Sequence, residues 1–253
     1  MTKIITIANR KGGVGKTATA HALGAGLRRR GYRVLFVDLD SQCNLTDALG
    51  VDVKGVEASS LDVLEGSSTA SETIISTEGG DILPASPSLA TSDKRIDGVG
   101  KEHRLKEALQ SLGRKYDYIV IDTPPALGVL TVNALTASNS VIITAQADLY
   151  SLQGIEQLYG TIGAVKHFAN KKLTIEGILL TRYAGRSVIS KDMRDNLEEL
   201  SRAIGTKVFK TPIRECVAIR EAQAMHTDIY TYSRKSNASK DYEAFLDEFL
   251  GGK

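Results

Sequence analysis

The sequence is poor in cysteine, with Cys43 and Cys216 the two in 253 residues. Their spacing makes neither a disulfide framework nor a metal cluster, so both read as small reduced side chains and the expected compartment is the cytoplasm. Long hydrophobic runs are also missing. The longest apolar stretches approach about ten residues, roughly half of what a bilayer-spanning helix needs. No signal peptide is expected, because Met1-Thr2-Lys3 leads straight into a strand-like run. No repeat and no low-complexity linker interrupts the chain. The loosest stretch is GSSTAS at 66–71, and one domain over 1–253 is expected. A large charge of one sign is absent too, since the net charge is +2. What remains is ordinary globular material, 42% hydrophobic and 25% charged, which excludes a largely disordered chain.

Short β-branched runs alternate with longer amphipathic ones. Strands are expected at 4–8, 34–38, 82–84, 118–122, 141–145, 175–180 and 207–209. Helices are expected at 17–30, 102–112, 130–137, 152–168, 191–204 and 239–250. Runs such as Tyr118-Ile119-Val120-Ile121 are apolar on both faces, which suits a parallel sheet covered by helices on both sides. The alternation predicts an α/β, doubly wound, mostly parallel sheet. In such sheets ligands collect at the carboxyl ends of strands, and the chemistry-bearing residues indeed follow strands.

After the first strand comes NRKGGVGKTA, residues 9–18. Gly12, Gly13 and Gly15 let the backbone curl so that its N–H groups point at an anion, and the following helix adds positive partial charge. Lys16 would reach the β- and γ-phosphates, and the Thr17 hydroxyl would ligate Mg²⁺. The usual phosphate-loop pattern places glycine where this chain has Arg10. Here a second lysine, Lys11, stands at the mouth of the loop. KGGVGKT resembles the deviant Walker A motif of the ParA/MinD ATPases. The resemblance makes ATP, with Mg²⁺, the expected cofactor, and Lys11, Gly12, Gly13, Val14, Gly15, Lys16, Thr17 and Ala18 the phosphate-binding residues. It implies that Lys11 crosses a homodimer interface to touch the partner's nucleotide. A lysine donated in trans would make pairing depend on ATP and stabilise charge developing in phosphoryl transfer.

Two acidic motifs follow. The second strand runs into Asp38-Leu39-Asp40-Ser41-Gln42-Cys43. By the resemblance Asp40 orients or deprotonates the attacking water, joining Lys11 and Lys16 as catalytic, while Asp38 supports the metal. Relatives usually carry proline and glycine where Ser41 and Cys43 stand. The fourth strand delivers Asp122, a Walker B-like metal carboxylate, followed by Thr123-Pro124-Pro125, which resembles the family's γ-phosphate sensor. Residues 146–154 (QADLYSLQG) and 177–181 (GILLT) also resemble the family, so the likeness covers roughly residues 3–250.

The resemblance places the base near Arg182, Pro212 and Arg214. Nothing in the local chemistry separates adenine from guanine. Residues 1–180 carry 19 basic and 19 acidic side chains, but residues 181–240 carry 12 and 7. Arg186, Lys191, Arg194, Lys210, Arg214 and Arg220 lie in that basic segment, from which family members contact DNA. Without a base-reading module, non-specific, salt-sensitive binding to double-stranded DNA is expected. The resemblance further implies a ParB-type stimulating protein and a nucleoid-associated ATP state. Because the first strand-like run begins at Lys3, no DNA-reading domain is expected before it, and the length resembles that of the chromosomal partitioning branch. Other members of the superfamily remain alternatives: a MinD-like or other cargo-positioning ATPase, or a metabolic ATP-dependent enzyme. The last predicted helix is amphipathic but acidic, which argues against a membrane partner.

Overall fold

The computed structural model describes residues 1–184 and 188–251, with the backbone alone at 149–150 and 188–191. Its strands are β1 (Lys3–Ala8), β2 (Val34–Asp38), β3 (Ile75–Thr77), β4 (Gly80–Leu83), β5 (Tyr118–Asp122), β6 (Ser140–Ala145) and β7 (Thr174–Leu180). The helices are α1 (Lys16–Arg29), α2 (Asn44–Ala48), α3 (Ser60–Glu65), α4 (Ala70–Thr73), α5 (Ser92–Arg95) and α6 (Arg104–Gln110). They continue with α7 (Val129–Ala137), α8 (Leu149–Phe168), α9 (Val188–Ala203), α10 (Val217–Ala224), α11 (Ile229–Tyr232) and α12 (Asn237–Phe249). The sheet order is β3-β4-β2-β5-β1-β6-β7, parallel except for the β3–β4 hairpin.

This is the doubly wound α/β fold that the apolar strand runs predict. Alternate residues of one strand feed opposite cores. Ile5, Ile7, Phe36 and Val120 pack under α1 and α12, whereas Leu35, Val37, Ile119 and Ile121 pack under α6 and α7. Ile143 and Ile178 pack under α8 and α9. The acidic last helix is docked: Tyr242, Phe245, Leu246 and Phe249 are buried in the α1 core.

Three expectations change. The expected strand at 207–209 shrinks to one bridge, Val208 beside Ile178, because Lys210 turns its N–H to Glu248 of α12. The short β3 was not expected; Gly79-Gly80 folds it back on β4. The loose stretch 66–71 is ordered at both ends. Gly66 caps α3, and Thr69 and Glu72 form a capping box on α4.

His21 of α1 is buried beside Phe36, and burial lowers its pKa to about 4, against the opposing charge of Asp228. The unfolded chain holds His21 near 6.5. Between pH 6.5 and 4 the unfolded state therefore takes up a proton that the folded state refuses, so stability falls with pH. Going from pH 7 to 4 is expected to remove ~3 kcal/mol through this side chain. Urea unfolding of wild type and His21→Gln at both pH values checks this. The variant should lose about that much less, and equal losses would refute the assignment.

Candidate active site

Three strands end at one level. In the parallel registers Ile7 and Asp38 both lie beside Asp122, so the loop after β1 opens next to both carboxylates. Asn9 pins the entry to that loop. Its Nδ2 donates to Thr144 O (2.5 Å), and its Oδ1 accepts from Lys11 N (2.9 Å). Gly13 and Gly15 have φ of +74° and +76°, a region in which a side chain is strained. A Cβ on Gly12 or Gly13 would meet no atom within 4 Å, so the loop surrounds open space. Gly15 precedes α1 without any side-chain cap, which leaves the first-turn N–H groups to that space. Val14 is fully buried, and its carbonyl accepts from Thr181 Oγ1 (2.9 Å).

Lys16 is 7% exposed, and its Nζ donates to Lys11 O (3.2 Å). Burial lowers its pKa, while Asp122 and Asp40 pull the other way. Thr17 Oγ1 donates to Asp122 Oδ2 (2.6 Å). Asp122 Oδ1 is buried and takes no hydrogen bond from the described residues. Burial and the Asp38 charge push the Asp122 carboxyl up, and burial raises Asp38 as well. Among the described residues no group of three acidic, histidine or cysteine side chains is placed to hold a metal. The orphaned carboxylate oxygen of Asp122, just beneath the cavity wall, and the Thr17 hydroxyl in that wall, bonded to its other oxygen, nevertheless make a donor pair of the kind a small, hard divalent cation takes. Asp40 lines the cavity. Its Oδ1 accepts from Gln42 N (3.0 Å), and its Oδ2 takes no hydrogen bond from the described residues.

Cys43 explains how the chain keeps this turn without the family's usual glycine. Its φ is +55°, and its N–H donates to Asp40 O (2.9 Å). A non-glycine residue there costs about 1–2 kcal/mol but preserves the backbone path. Burial, with Asp38 and Asp40, pushes its thiol up to about 12, so it is no nucleophile.

The loop, Thr17, Ala18 and Asp40 form one side of a cavity of about 540 Å³, ample for a nucleotide. Thr181, Arg182, Arg214, Glu215, Cys216, Arg220 and Gln223 belong to the rest of its wall. Arg182 donates to Glu215 Oε1 (2.9 Å) and reaches Gly13 O (3.4 Å).

Lys11 does not line this cavity. Its Nζ donates to Asp148 Oδ2 (2.5 Å) and Gln146 Oε1 (3.1 Å), with its side chain 28% exposed. Asp148 also caps α8 through Ser151 N (2.9 Å). The helix packs tightly here, since a Cβ on Gly154 would lie 2.9 Å from Asn9 Oδ1.

Several expected positions differ from the sequence reading. Asp38 does not face the cavity. Its oxygens accept from Asp40 N, Thr46 N and Thr46 Oγ1, because the end of β2 directs it beneath α2. Pro212 does not line the cavity, whereas its neighbours Ile213 and Arg214 do. Of the six basic residues, the four whose side chains are described do not form one cluster. Arg186 lies outside the described residues, and the side chain of Lys191 is not described. Arg194 pairs with Glu198 and reaches Lys210 O, whereas Arg214 and Arg220 belong to the cavity wall.

Sequence reasoning gave no role to Gln146 and Asp148 or to Tyr242 and Asp241, and it placed Arg220 without expecting the helix α10 that carries it. The segment 146–154 was visible as a motif, but its contact with Lys11 was not. Eight residues of α10 are too few for a periodic signal.

A family model described as an AAA domain matches residues 2–175. The sporulation initiation inhibitor protein Soj of Bacillus subtilis is 41% identical over 96% of both chains. The chromosome partitioning protein ParA of Myxococcus xanthus is 36% identical over 98% of this chain and 88% of its own. Among solved structures, cobyrinic acid a,c-diamide synthase from Mycobacterium smegmatis, with a bound ATP analogue and magnesium, is 34% identical. It has a TM-score of 0.87 and covers 99% of this chain and 95% of its own.

Proposed function

The chain belongs to the ParA/Soj family of ATPases, and from that premise we propose that it is an ATP-driven DNA-partitioning switch. With Mg²⁺-ATP two copies join face to face and bind double-stranded DNA without sequence choice. Hydrolysis, stimulated by a ParB-type partner, separates them.

The position of Lys11 carries this reading. A lysine meant for its own nucleotide would sit in the cavity, as Lys16 does. Lys11 instead rests on the rim, half-buried against Asp148 and Gln146, where a neighbour's triphosphate could draw it away. Lys16 and the N–H groups of residues 12–18 hold the phosphates. Thr17, with Asp122 hydrogen-bonded behind it, would hold Mg²⁺, which would supply charge neutralisation to the phosphates. Asp38 acts at one remove, by fastening Asp40 N and Thr46. Asp40 orients the attacking water and takes its proton. Arg182 and Arg214, both in the cavity wall, border the base, and Pro212 lies two residues before Arg214 outside that wall. Arg194, Lys210 and Arg220, with Arg186 and Lys191, supply phosphate contacts to DNA. Among the described residues no helix is long and apolar enough to cross a membrane. The protein works in the cytoplasm, on the nucleoid while ATP-bound.

Lys11→Ala tests this. It should bind ATP within about twofold of wild type, because Lys11 is not in the cavity, yet stay monomeric. A trans cation–phosphate contact is worth about 2–5 kcal/mol, enough to abolish pairing at micromolar protein. Size-exclusion chromatography with ATP, then with added DNA, reads the result. An ATP-dependent dimer of the variant as stable as wild type would overturn the reading.

The likeness to the Mycobacterium smegmatis structure favours a second reading, a metabolic ATP-dependent enzyme. Turnover stimulated by DNA and a ParB-type protein supports the first reading, and turnover that requires a metabolite supports the second.

A further inference from the structure

The buried face of α12 carries charge as well as apolar side chains. Asp241 and Glu248 lie seven residues apart, about two turns along one face. Each accepts a backbone N–H from the segment after the Val208 bridge. Glu248 Oε2 takes Lys210 N (2.8 Å), and Asp241 Oδ2 takes Arg214 N (3.0 Å). Here the likeness ends. Lys210 is outside the cavity wall, whereas Arg214 is part of it. Asp241 also grips the Arg214 guanidinium along one edge, with Nε 2.9 Å from Oδ2 and Nη2 2.6 Å from Oδ1. The Asp241 side chain is 8% exposed and that of Arg214 47%. Nη1 donates to none of the described residues, so the outer edge of the fork stays available. The next residue on the helix, Tyr242, also lines the cavity, and its hydroxyl lies 3.3 Å from Thr19 Oγ1 of α1.

We propose that Asp241 is a positioning residue for the nucleotide, holding Arg214 so that its outer edge meets a purine nucleoside triphosphate in the cavity. The inference rests on the ATP-binding reading above. An unpaired arginine loses rotamer freedom when a ligand orders it. A buried carboxylate that holds both the backbone N–H and two guanidinium nitrogens removes that loss before binding. The C-terminal helix is thus part of the nucleotide site, not only a cover for the α1 core.

The test uses the full chain and Mg²⁺-ATP. Asp241→Asn keeps the shape and removes the charge. It should raise the Kd for ATP, by titration calorimetry, about tenfold. The KM should rise similarly, against at most a twofold change in kcat. Glu248→Gln breaks a like contact on the same helix and should lower Tm without changing ATP affinity. In an Arg214→Ala background, Asp241→Asn should add no further loss. The inference is overturned if Asp241→Asn binds ATP as wild type does, if Glu248→Gln weakens binding equally, or if the losses of Asp241→Asn and Arg214→Ala add. A wild-type protein that binds no ATP overturns the functional reading and this inference together.

Discussion

Lys16→Ala is expected to weaken ATP binding about 10²–10³-fold, the effect of removing one member of a buried, hydrogen-bonded charge pair. Lys16 is the buried ammonium at the head of α1, close enough to Asp122 and Asp40 for their charges to offset part, but not all, of its desolvation. Its Nζ donates to a backbone carbonyl of its own loop, Lys11 O, so the phosphates it would meet bring new partners and leave few contacts to break. The loss should fall on affinity and carry every later step with it: no dimer, no DNA retention, no hydrolysis. Calorimetric titration with Mg²⁺-ATP measures it. Binding within threefold of wild type would refute the assignment of this loop as the phosphate site.

The second large effect separates binding from chemistry. Asp40→Ala should cut the hydrolysis rate about 10²–10⁴-fold, the span for loss of a positioned general base. ATP should remain bound and the dimer should persist in chromatography, because Asp40 faces the cavity without belonging to the phosphate loop. Its Oδ1 is occupied by Gln42 N and its Oδ2 is left to a water. The neighbouring turn should survive, since Cys43 holds its backbone through Asp40 O, which alanine retains. A variant that hydrolyses ATP at the wild-type rate would remove Asp40 from the chemistry. One that stays monomeric with ATP would make it a residue of assembly.

Lys11 and Lys16 show how far a linear motif can be read. Five residues apart in one loop, they look alike as letters. In the fold one is buried at the helix head and the other is held on the rim by Gln146 and Asp148. The basic segment shows the opposite limit. Its excess charge is plain in the sequence, yet Arg214 is paired with Asp241, Arg194 with Glu198 and Arg182 with Glu215, so three of its arginines are already engaged.

The sequence by itself determined the parallel sheet, the phosphate loop and the two strand-terminal aspartates. Each of these is local: an apolar run buried on both faces, glycines at positive φ, a carboxylate one residue past the core. Only the tertiary structure decided which side chains meet around the site. Lys11 finds Asp148 across 137 residues, Thr17 finds Asp122 across 105, and Arg214 finds Asp241 across 27. Such pairs arise from where helices settle once the strands have aligned, and no periodicity along the chain encodes that.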